Sequence, residues 1–266
     1  MNNFKRQHLL FLVLGAYFVA NAIIAEFIGV KIFSLERNLG IDPFSFSFFG
    51  ESQLSLNLTV GVLLWPLEFV MTDVINEYYG KRGVKILSNL AVGLIIYAFL
   101  MVFMGIHLIP ADFWPQSHIN PAWSAEKQAS ELAKVGNYNY AYELVFGQGL
   151  WIIIGSVIAF LIGQVTDVFA FHKIKKITGE KKVWLRATGS TLISQILDSF
   201  VVLFIAFYIG ADWSLSLVLA IGVVNYIYKG SMAILLTPLI YLMHFFIDWF
   251  LGKSLAEKMK SEAQNS

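Results

Sequence analysis

A polar motif occurs twice within apolar stretches that are long enough to cross a membrane. Gln164 and Asp167 lie three residues apart in one stretch, and Gln195 and Asp198 have the same spacing in the next. Residues three apart share one face of a helix. An ionisable group at that depth is costly in lipid and normally points into a helix bundle or a wet cavity. The two motifs therefore predict a shared polar pocket between helices.

The composition indicates a membrane protein. Hydrophobic residues make up 57% of the 266 residues and charged residues only 14%, whereas soluble domains are nearer half apolar and a quarter charged. Apolar runs of about 18 or more residues predict membrane spans. We expect an all-α integral membrane protein with six transmembrane helices, at about 9–28, 58–79, 86–109, 145–171, 189–209 and 215–246. Residues 1–252 would form one membrane domain, followed by a polar tail, 253–266.

Several classes of protein and site are excluded. The chain has no cysteine, so disulfides, thiolate metal sites and cysteine nucleophiles are absent. A net charge of +1 argues against nucleic acid as a partner. The first apolar run has no small-residue cleavage site and carries Asn21 and Glu26, unlike a cleaved signal peptide. We expect no cofactor and no metal. The lipid bilayer is an expected partner, and assembly into a homo-oligomer is left open.

The positions of lysine and arginine predict the orientation. Of the 19 basic residues, 14 fall in segments on one side of the predicted spans. They are Lys5, Arg6, Lys81, Arg82, Lys85, Lys173, Lys175, Lys176, Lys181, Lys182, Arg186, Lys253, Lys258 and Lys260. Cytoplasmic loops carry such an excess. We therefore expect both termini in the cytoplasm.

Two extracytoplasmic insertions are expected, at about 30–57 and 110–143. Residues 44–48 and 54–58 alternate between apolar and polar, which predicts a short β-hairpin. In the second insertion, Ser124 is placed to cap a short helix over 125–135. That insertion, with its prolines and interfacial aromatic residues, is typical either of a spacer at the lipid surface or of a lid over the outer mouth.

Polar residues also mark the end of the second span. Asp73 and Glu77 are four apart and share a helix face, while Glu68 and Asn76 line an adjacent one. They could serve proton coupling or gating. The alternative is structural: Asp73 and Glu77 could pair with the basic residues of the next loop, Lys81 and Arg82.

Lys229 is a lone lysine in the middle of the last span, on the same helix face as Asn225. It needs a carboxylate partner or a water-filled cavity, and the candidates are Asp198, Asp167 and Asp73. One interpretation places Lys229 at a substrate site, and the other makes it a purely structural ion pair.

Three ordered blocks of the chain resemble a known family. They are Thr72-Asp73-Val74-Ile75-Asn76-Glu77-Tyr78-Tyr79-Gly80-Lys81, the stretch from Trp184-Leu185-Arg186 to Ser194-Gln195-Ile196-Leu197-Asp198-Ser199, and Tyr226-Ile227-Tyr228-Lys229 followed by Thr237-Pro238-Leu239-Ile240-Tyr241. The chain resembles the queuosine precursor transporter family, also known as the putative vitamin uptake transporters, over about 58–246. The resemblance implies import of a 7-deazaguanine, such as 7-cyano-7-deazaguanine, 7-aminomethyl-7-deazaguanine or queuine, for salvage into tRNA modification. It also implies a multi-pass location in a bacterial inner membrane.

The residues at hand suit a guanine-like base. A carboxylate can accept from its ring N–H and amino group, a Gln amide can donate to its carbonyl, and aromatic rings can stack on it. The expected substrate-binding residues are Gln164, Asp167, Gln195, Asp198, Asn225, Lys229, Trp65 and Phe200. The same residues would fit another small polar heterocycle.

Two rival functions come from other classes. Paired aspartates could do acid–base chemistry, but the sequence has no hydrolase or zinc-protease motif, so we expect no catalytic residues. Alternatively, the chain could be the substrate-binding membrane subunit of an ATPase-driven vitamin or nucleobase uptake complex, with the ATPase on another chain because no phosphate-binding loop is present. Proton coupling and facilitated diffusion are equally compatible with the residues.

Overall fold

The computed structural model describes residues 3–147, 150–179 and 183–264. Lys181, Lys182 and the chain end at 266 lie outside the described residues. The α-helices are α1 (Asn3–Ile28), α2 (Leu35–Asn38), α3 (Trp65–Ile106), α4 (Ala125–Lys134), α5 (Tyr138–Phe146), α6 (Leu150–Thr178), α7 (Val183–Leu203), α8 (Leu215–Leu235), α9 (Thr237–Leu251) and α10 (Lys253–Gln264). A π-helical turn, Phe204–Ile209, extends α7.

The prediction of an all-α membrane protein is confirmed. With α3 counted as one, five helical segments of the described chain are long and apolar enough to cross a membrane, or six if α9 and α10, bent by 116°, form one broken span. The only sheet structure in the described ranges is two short two-stranded ladders. The described residues form two compact units, one of residues up to Ile95 with those from Leu150 onward, the other within Ile96–Gly149.

Helix α3 is divided at Gly80 into a first arm, 65–79, and a second arm that starts at residue 81. Gly80 has φ 66° and ψ −170°, a conformation that essentially only glycine adopts. A β-carbon built on Gly83 would lie 3.5 Å from Cγ2 of Ile75, although eight residues of continuous helix extend about 12 Å. The chain therefore folds back at Gly80, and the two arms correspond to the predicted spans 58–79 and 86–109.

The first arm runs parallel to α6. Thr72 exchanges side-chain hydrogen bonds of 3.2–3.3 Å with Gln164, and Asn76 lies 2.9 Å from the His172 ring. Along both helices the contacts advance in the same direction. This pairing brings the acidic residues of the first arm against the first Gln–Asp motif.

Helix α7 packs antiparallel to α6. Ser194 contacts Asp167, and a β-carbon built on Gly155 would lie 3.1 Å from the Val202 carbonyl oxygen. A small residue at this position allows the two helices to approach closely. On its other side α7 packs against α8, so α7 lies between the helices that carry Asp167 and Lys229.

A hairpin is present, but its second strand is not the predicted 54–58: it lies earlier and shares only Leu54 with that range. Strand β2 (Phe46–Phe48) pairs antiparallel with β3 (Glu51–Leu54). The alternating residues after Leu54 do not continue that ladder, because β4 (Asn57–Thr59) pairs instead with β1 (Ile32–Ser34).

Glu36 of α2 supports the β1–β4 ladder, because Ser34 ends β1 and Leu56 directly precedes β4. Its Oε1 accepts a 2.6 Å hydrogen bond from the Leu56 N–H, and its Oε2 accepts one from the Ser34 hydroxyl. Burial by itself raises the pKa of Glu36. The hydrogen bonds outweigh burial and lower the pKa below its usual value.

The chain after α8 turns twice. Helix α9 follows α8 directly, with Pro238 in its first turn, and Gly252 (φ 83°) ends it. The tail residues 253–264 then form α10, which buries Leu255, Ala256, Met259 and Ala263.

The unit within Ile96–Gly149 contains α4, α5 and a short 3₁₀ turn at Trp114–Gln116. The predicted helix after Ser124 is present, and the Ser124 hydroxyl accepts from the Lys127 N–H. The His118 and Tyr138 rings stack with centroids 4.1 Å apart.

Candidate functional site

A small cavity lies between the first arm, α7 and α8; we name it the central cavity. Its polar lining is Asp73, Thr188, Thr191 and Lys229, beside the Trp65 ring. Aliphatic residues, phenylalanine and proline complete the wall. The volume is about 20 Å³, which holds about one water molecule. The helices therefore have to separate before a bicyclic base can enter.

Asp73 and Asp167 belong to one buried cluster that borders the central cavity. The Ser194 hydroxyl donates to Asp167 Oδ1 at 3.3 Å. The Ser190 hydroxyl donates to the Ala187 carbonyl and lies beside both carboxylates. One oxygen of each aspartate still has no hydrogen-bond partner among the described residues. Buried carboxylate oxygens left in that condition are costly, which is typical of a site that changes state or accepts a ligand.

Asp198 and Lys229 form an ion pair between α7 and α8. Of the three carboxylates predicted as partners of Lys229, the structure selects Asp198. The two side chains are 17% and 13% exposed, and Lys229 also faces the central cavity. The pair is therefore accessible enough to exchange partners, unlike a fully buried pair.

Further buried polar atoms on the first arm and on α7 have no hydrogen-bond partner among the described residues. Both carboxylate oxygens of Glu68 and both amide atoms of Gln195 are unbonded within the described chain, as is the Ser199 hydroxyl. Glu68 precedes Asp73 on the first arm, and Gln195 precedes Asp198 on α7. An apolar core would not need these groups, because each buried polar atom without a partner costs free energy.

The structure does not bring every predicted binding residue to the central cavity. Gln164 is bonded to Thr72 and lines a separate groove. Phe200 packs against Gly222 of α8, and Asn225 is half-buried but does not line the cavity.

Glu77 lies in a buried ion cluster. Its carboxylate is 2.7 Å from Arg186 Nη2 and 3.3 Å from Lys175 Nζ, and all three side chains are 1–2% exposed. The structural interpretation of Glu77 is therefore supported, but its partners are not Lys81 and Arg82. Residues 81 and 82 lie beyond the turn at Gly80 and are exposed, whereas α6 and α7 carry Lys175 and Arg186 into the bundle.

Sequence reasoning missed two groups. One is the set of α7 hydroxyls, Ser190, Thr191 and Ser194, whose spacing of one helix turn was a usable signal. The other joins Tyr78 to α9 and α10: the Tyr78 hydroxyl donates to Asp248 Oδ1 at 2.7 Å, and Lys260 pairs with the same carboxylate at 2.9 Å. No local pattern links residues 78 and 248.

Proteins with similar sequences are named as transporters. The chain is 26% identical over 190 residues to a protein of Bacillus subtilis (strain 168) named "Probable queuosine precursor transporter", covering 70% of this chain and 71% of that protein. It is 34% identical over 191 residues to a protein of the same name in Haemophilus influenzae (strain ATCC 51907 / DSM 11121 / KW20 / Rd), covering 70% and 67%. No solved structure matches significantly.

Residues 59–243 match the family described as "Putative vitamin uptake transporter". That range runs from just before the first arm into α9 and includes every residue of the central cavity. The family consists of transporters and not of enzymes, as the sequence predicts. The chain belongs to this family of vitamin and queuosine precursor transporters.

Proposed function

We propose that this transporter imports a 7-deazaguanine across a bacterial inner membrane for salvage into tRNA modification. The observation that carries the proposal is the presence of both Asp73 and Lys229 in the lining of the central cavity, beside the Trp65 ring. Two charged groups of opposite sign and an aromatic surface suit a planar base that has donors and an acceptor on one edge.

The edge chemistry assigns a role to each residue. A guanine-like edge has a carbonyl oxygen next to a ring N–H and an amino group. Lys229 would donate to the carbonyl, and Asp73 would accept from the N–H and the amino group. Trp65 would stack on the ring, a contact worth about 1–3 kcal/mol per base. Asp198 would hold Lys229 in position through their ion pair.

The remaining predicted residues take supporting roles in this proposal. Asp167 would act on Asp73 through the charge interaction between the two carboxylates. Gln195 has two free amide atoms close in sequence to Asp198 and would complete the site when the helices separate. Gln164, Phe200 and Asn225 would hold the helices together rather than touch the base.

Movement of α8 would open the site. Small-molecule pockets are commonly about 300–1,000 Å³, far larger than the central cavity. Lys229 is on α8 and Asp73 on the first arm, so separating these elements enlarges the cavity directly. The break between α8 and α9, followed by Pro238, is a hinge at which α8 can tilt.

Two models explain what drives uptake of the base. In one, downstream modification traps the base after facilitated diffusion. In the other, an intramembrane carboxylate carries a proton, and Glu68 is the first candidate because neither of its oxygens is bonded within the described chain. Asn76 and Glu77 are occupied by His172, Lys175 and Arg186 and would serve gating. The comparisons give no support to the ATPase-driven alternative.

Binding of two bases with opposite edges tests the recognition model. An adenine-like edge has an amino group where guanine has its carbonyl. That amino group and the Lys229 ammonium are both donors, so they cannot form a hydrogen bond. Two mismatched hydrogen bonds at about 1–3 kcal/mol each should weaken binding of 7-deazaadenine at least about 30-fold relative to 7-deazaguanine. Isothermal titration of the detergent-solubilised protein measures both. Equal affinities would reject the edge assignment while leaving stacking intact.

The proposed orientation places both termini in the cytoplasm and residues 110–143 outside, because 14 of the 19 basic residues fall in segments that the sequence assigns to the opposite side of the spans. The chain has no cysteine, so single cysteines report topology directly. Ser130→Cys and Ser254→Cys both replace exposed residues. In intact cells, an impermeant thiol reagent should label position 130 and not position 254. Labelling at 254 alone would establish the inverted orientation.

A further inference from the structure

A groove separate from the central cavity lies between the second arm of α3 and α6; we name it the lateral groove. Its volume is about 390 Å³. The second arm contributes Lys81, Lys85, Ser88 and Asn89, and α6 contributes mainly apolar residues. Val165 and Phe169 on its rim are 70% and 64% exposed. In a membrane those exposed apolar side chains face lipid, so the groove opens sideways into the bilayer.

The polar residues of the lateral groove lie at two distances from the turn at Gly80. Lys81 and Lys85 lie next to the turn at Gly80, at the end of the arm. Neither lysine has an ion-pair partner in the part of the chain that the structure describes. Ser88 and Asn89 lie about one turn deeper, since four residues of helix extend about 6 Å.

Two deeper groups have unused hydrogen-bonding capacity. The Ser88 side chain is 4% exposed, and its hydroxyl has no partner among the described residues. Asn89 is exposed on a helix surface whose neighbours Ile86 and Leu90 are also exposed. A polar side chain on a lipid-facing surface is costly unless it finds a partner.

From this arrangement we infer that the lateral groove binds an anionic phospholipid of the leaflet next to the Gly80 turn. The two lysines bind the headgroup phosphate, as basic pockets between transmembrane helices do. Ser88 and Asn89 donate to the ester oxygens directly below it. The acyl chains lie along Val165 and Phe169. The inference depends on the membrane location of the chain and not on the identity of the transported substrate.

The lateral groove adjoins the transport machinery through Gln164. This residue lines the groove and bonds to Thr72 on the first arm, one residue before Asp73. A lipid bound in the groove would therefore hold the second arm against α6. This contact lies next to the part of the first arm that lines the central cavity. We expect bound lipid to stabilise this packing.

Native mass spectrometry of the full-length protein tests the lipid site, with phosphatidylglycerol and phosphatidylcholine as probes. Wild-type protein should retain phosphatidylglycerol in preference to phosphatidylcholine. In Lys81→Gln/Lys85→Gln, affinity for phosphatidylglycerol should fall by about 10- to 30-fold, the effect of two surface lysines on an anionic lipid. Both lysines are exposed, so folding should be unaffected.

The matched control is Lys253→Gln/Lys258→Gln, which removes the same charge from the exposed face of α10. It should keep wild-type phosphatidylglycerol affinity. As a second measurement, phosphatidylglycerol should raise the Tm of the wild type and the control, but not of the groove variant. Equal retention of the two lipids by the wild type would overturn the inference. The same holds if both double variants lose affinity equally, because the effect would then be one of general charge.

Discussion

Replacing Arg186 by glutamine should lower the free energy of unfolding by about 3–5 kcal/mol, as expected when one partner of a buried ion pair is removed. The Arg186 guanidinium lies 2.7 Å from Glu77 and also donates to the Gly179 carbonyl at 2.8 Å. Glutamine is too short and uncharged to replace these contacts. The change would leave Glu77 inside the bundle, where Lys175 is its one remaining ion-pair partner among the described residues.

Thermal unfolding of the detergent-solubilised protein measures this effect. A loss of about 3 kcal/mol corresponds to a decrease in Tm of roughly 6–12 °C for a protein of this size. Lys134→Gln is the matched control, because its pair with Glu131 is exposed and such pairs contribute about 0–1 kcal/mol. Equal Tm values for the two variants would show that the buried cluster does not stabilise the bundle.

Replacing Lys229 by methionine should weaken binding of 7-deazaguanine by about 1.5–3 kcal/mol, roughly 10- to 150-fold. Methionine keeps most of the length of the side chain but removes the charged donor to the base carbonyl. The variant also leaves Asp198 without its partner, so a decrease in stability is expected as well. Titration with the base and thermal unfolding separate the two effects.

The double variant Asp198→Asn/Lys229→Met distinguishes a binding role from a structural one. Removing both charges eliminates the unpaired carboxylate, so Tm should recover toward the wild-type value. Binding should remain weak, because the donor is still missing. Recovery of binding together with Tm would mean that the pair only locks α8 to α7, the structural alternative that the sequence left open.

The helices and the presence of a hairpin, though not the position of its second strand, were predictable because lipid and strand periodicity impose strong local patterns. Each span is recognisable by its length and apolarity, and the reversal at Gly80 falls between two spans predicted separately. The pairing of β4 with β1 was not predictable, because alternation indicates a strand but not its neighbour.

The candidate site was predictable only in part, for a related reason. Helical spacing places Gln164 and Asp167 on one side of α6, but it does not say which helix that side meets. In the structure, Gln164 contacts the first arm and Asp167 contacts the hydroxyls of α7. Similarly, Lys175 and Arg186 count as loop charges in a sequence, although both are buried and paired with Glu77.

The most direct measurement of the central claim is uptake by lipid vesicles that contain this chain as their sole protein, without ATP. Labelled 7-deazaguanine should enter wild-type vesicles faster than protein-free vesicles, and vesicles with the Lys229→Met variant should resemble the protein-free control. An imposed proton gradient should drive accumulation above the external concentration if Glu68 carries a proton, and leave simple equilibration if it does not. Entry at the protein-free rate in wild-type vesicles that hold correctly folded protein would contradict the account.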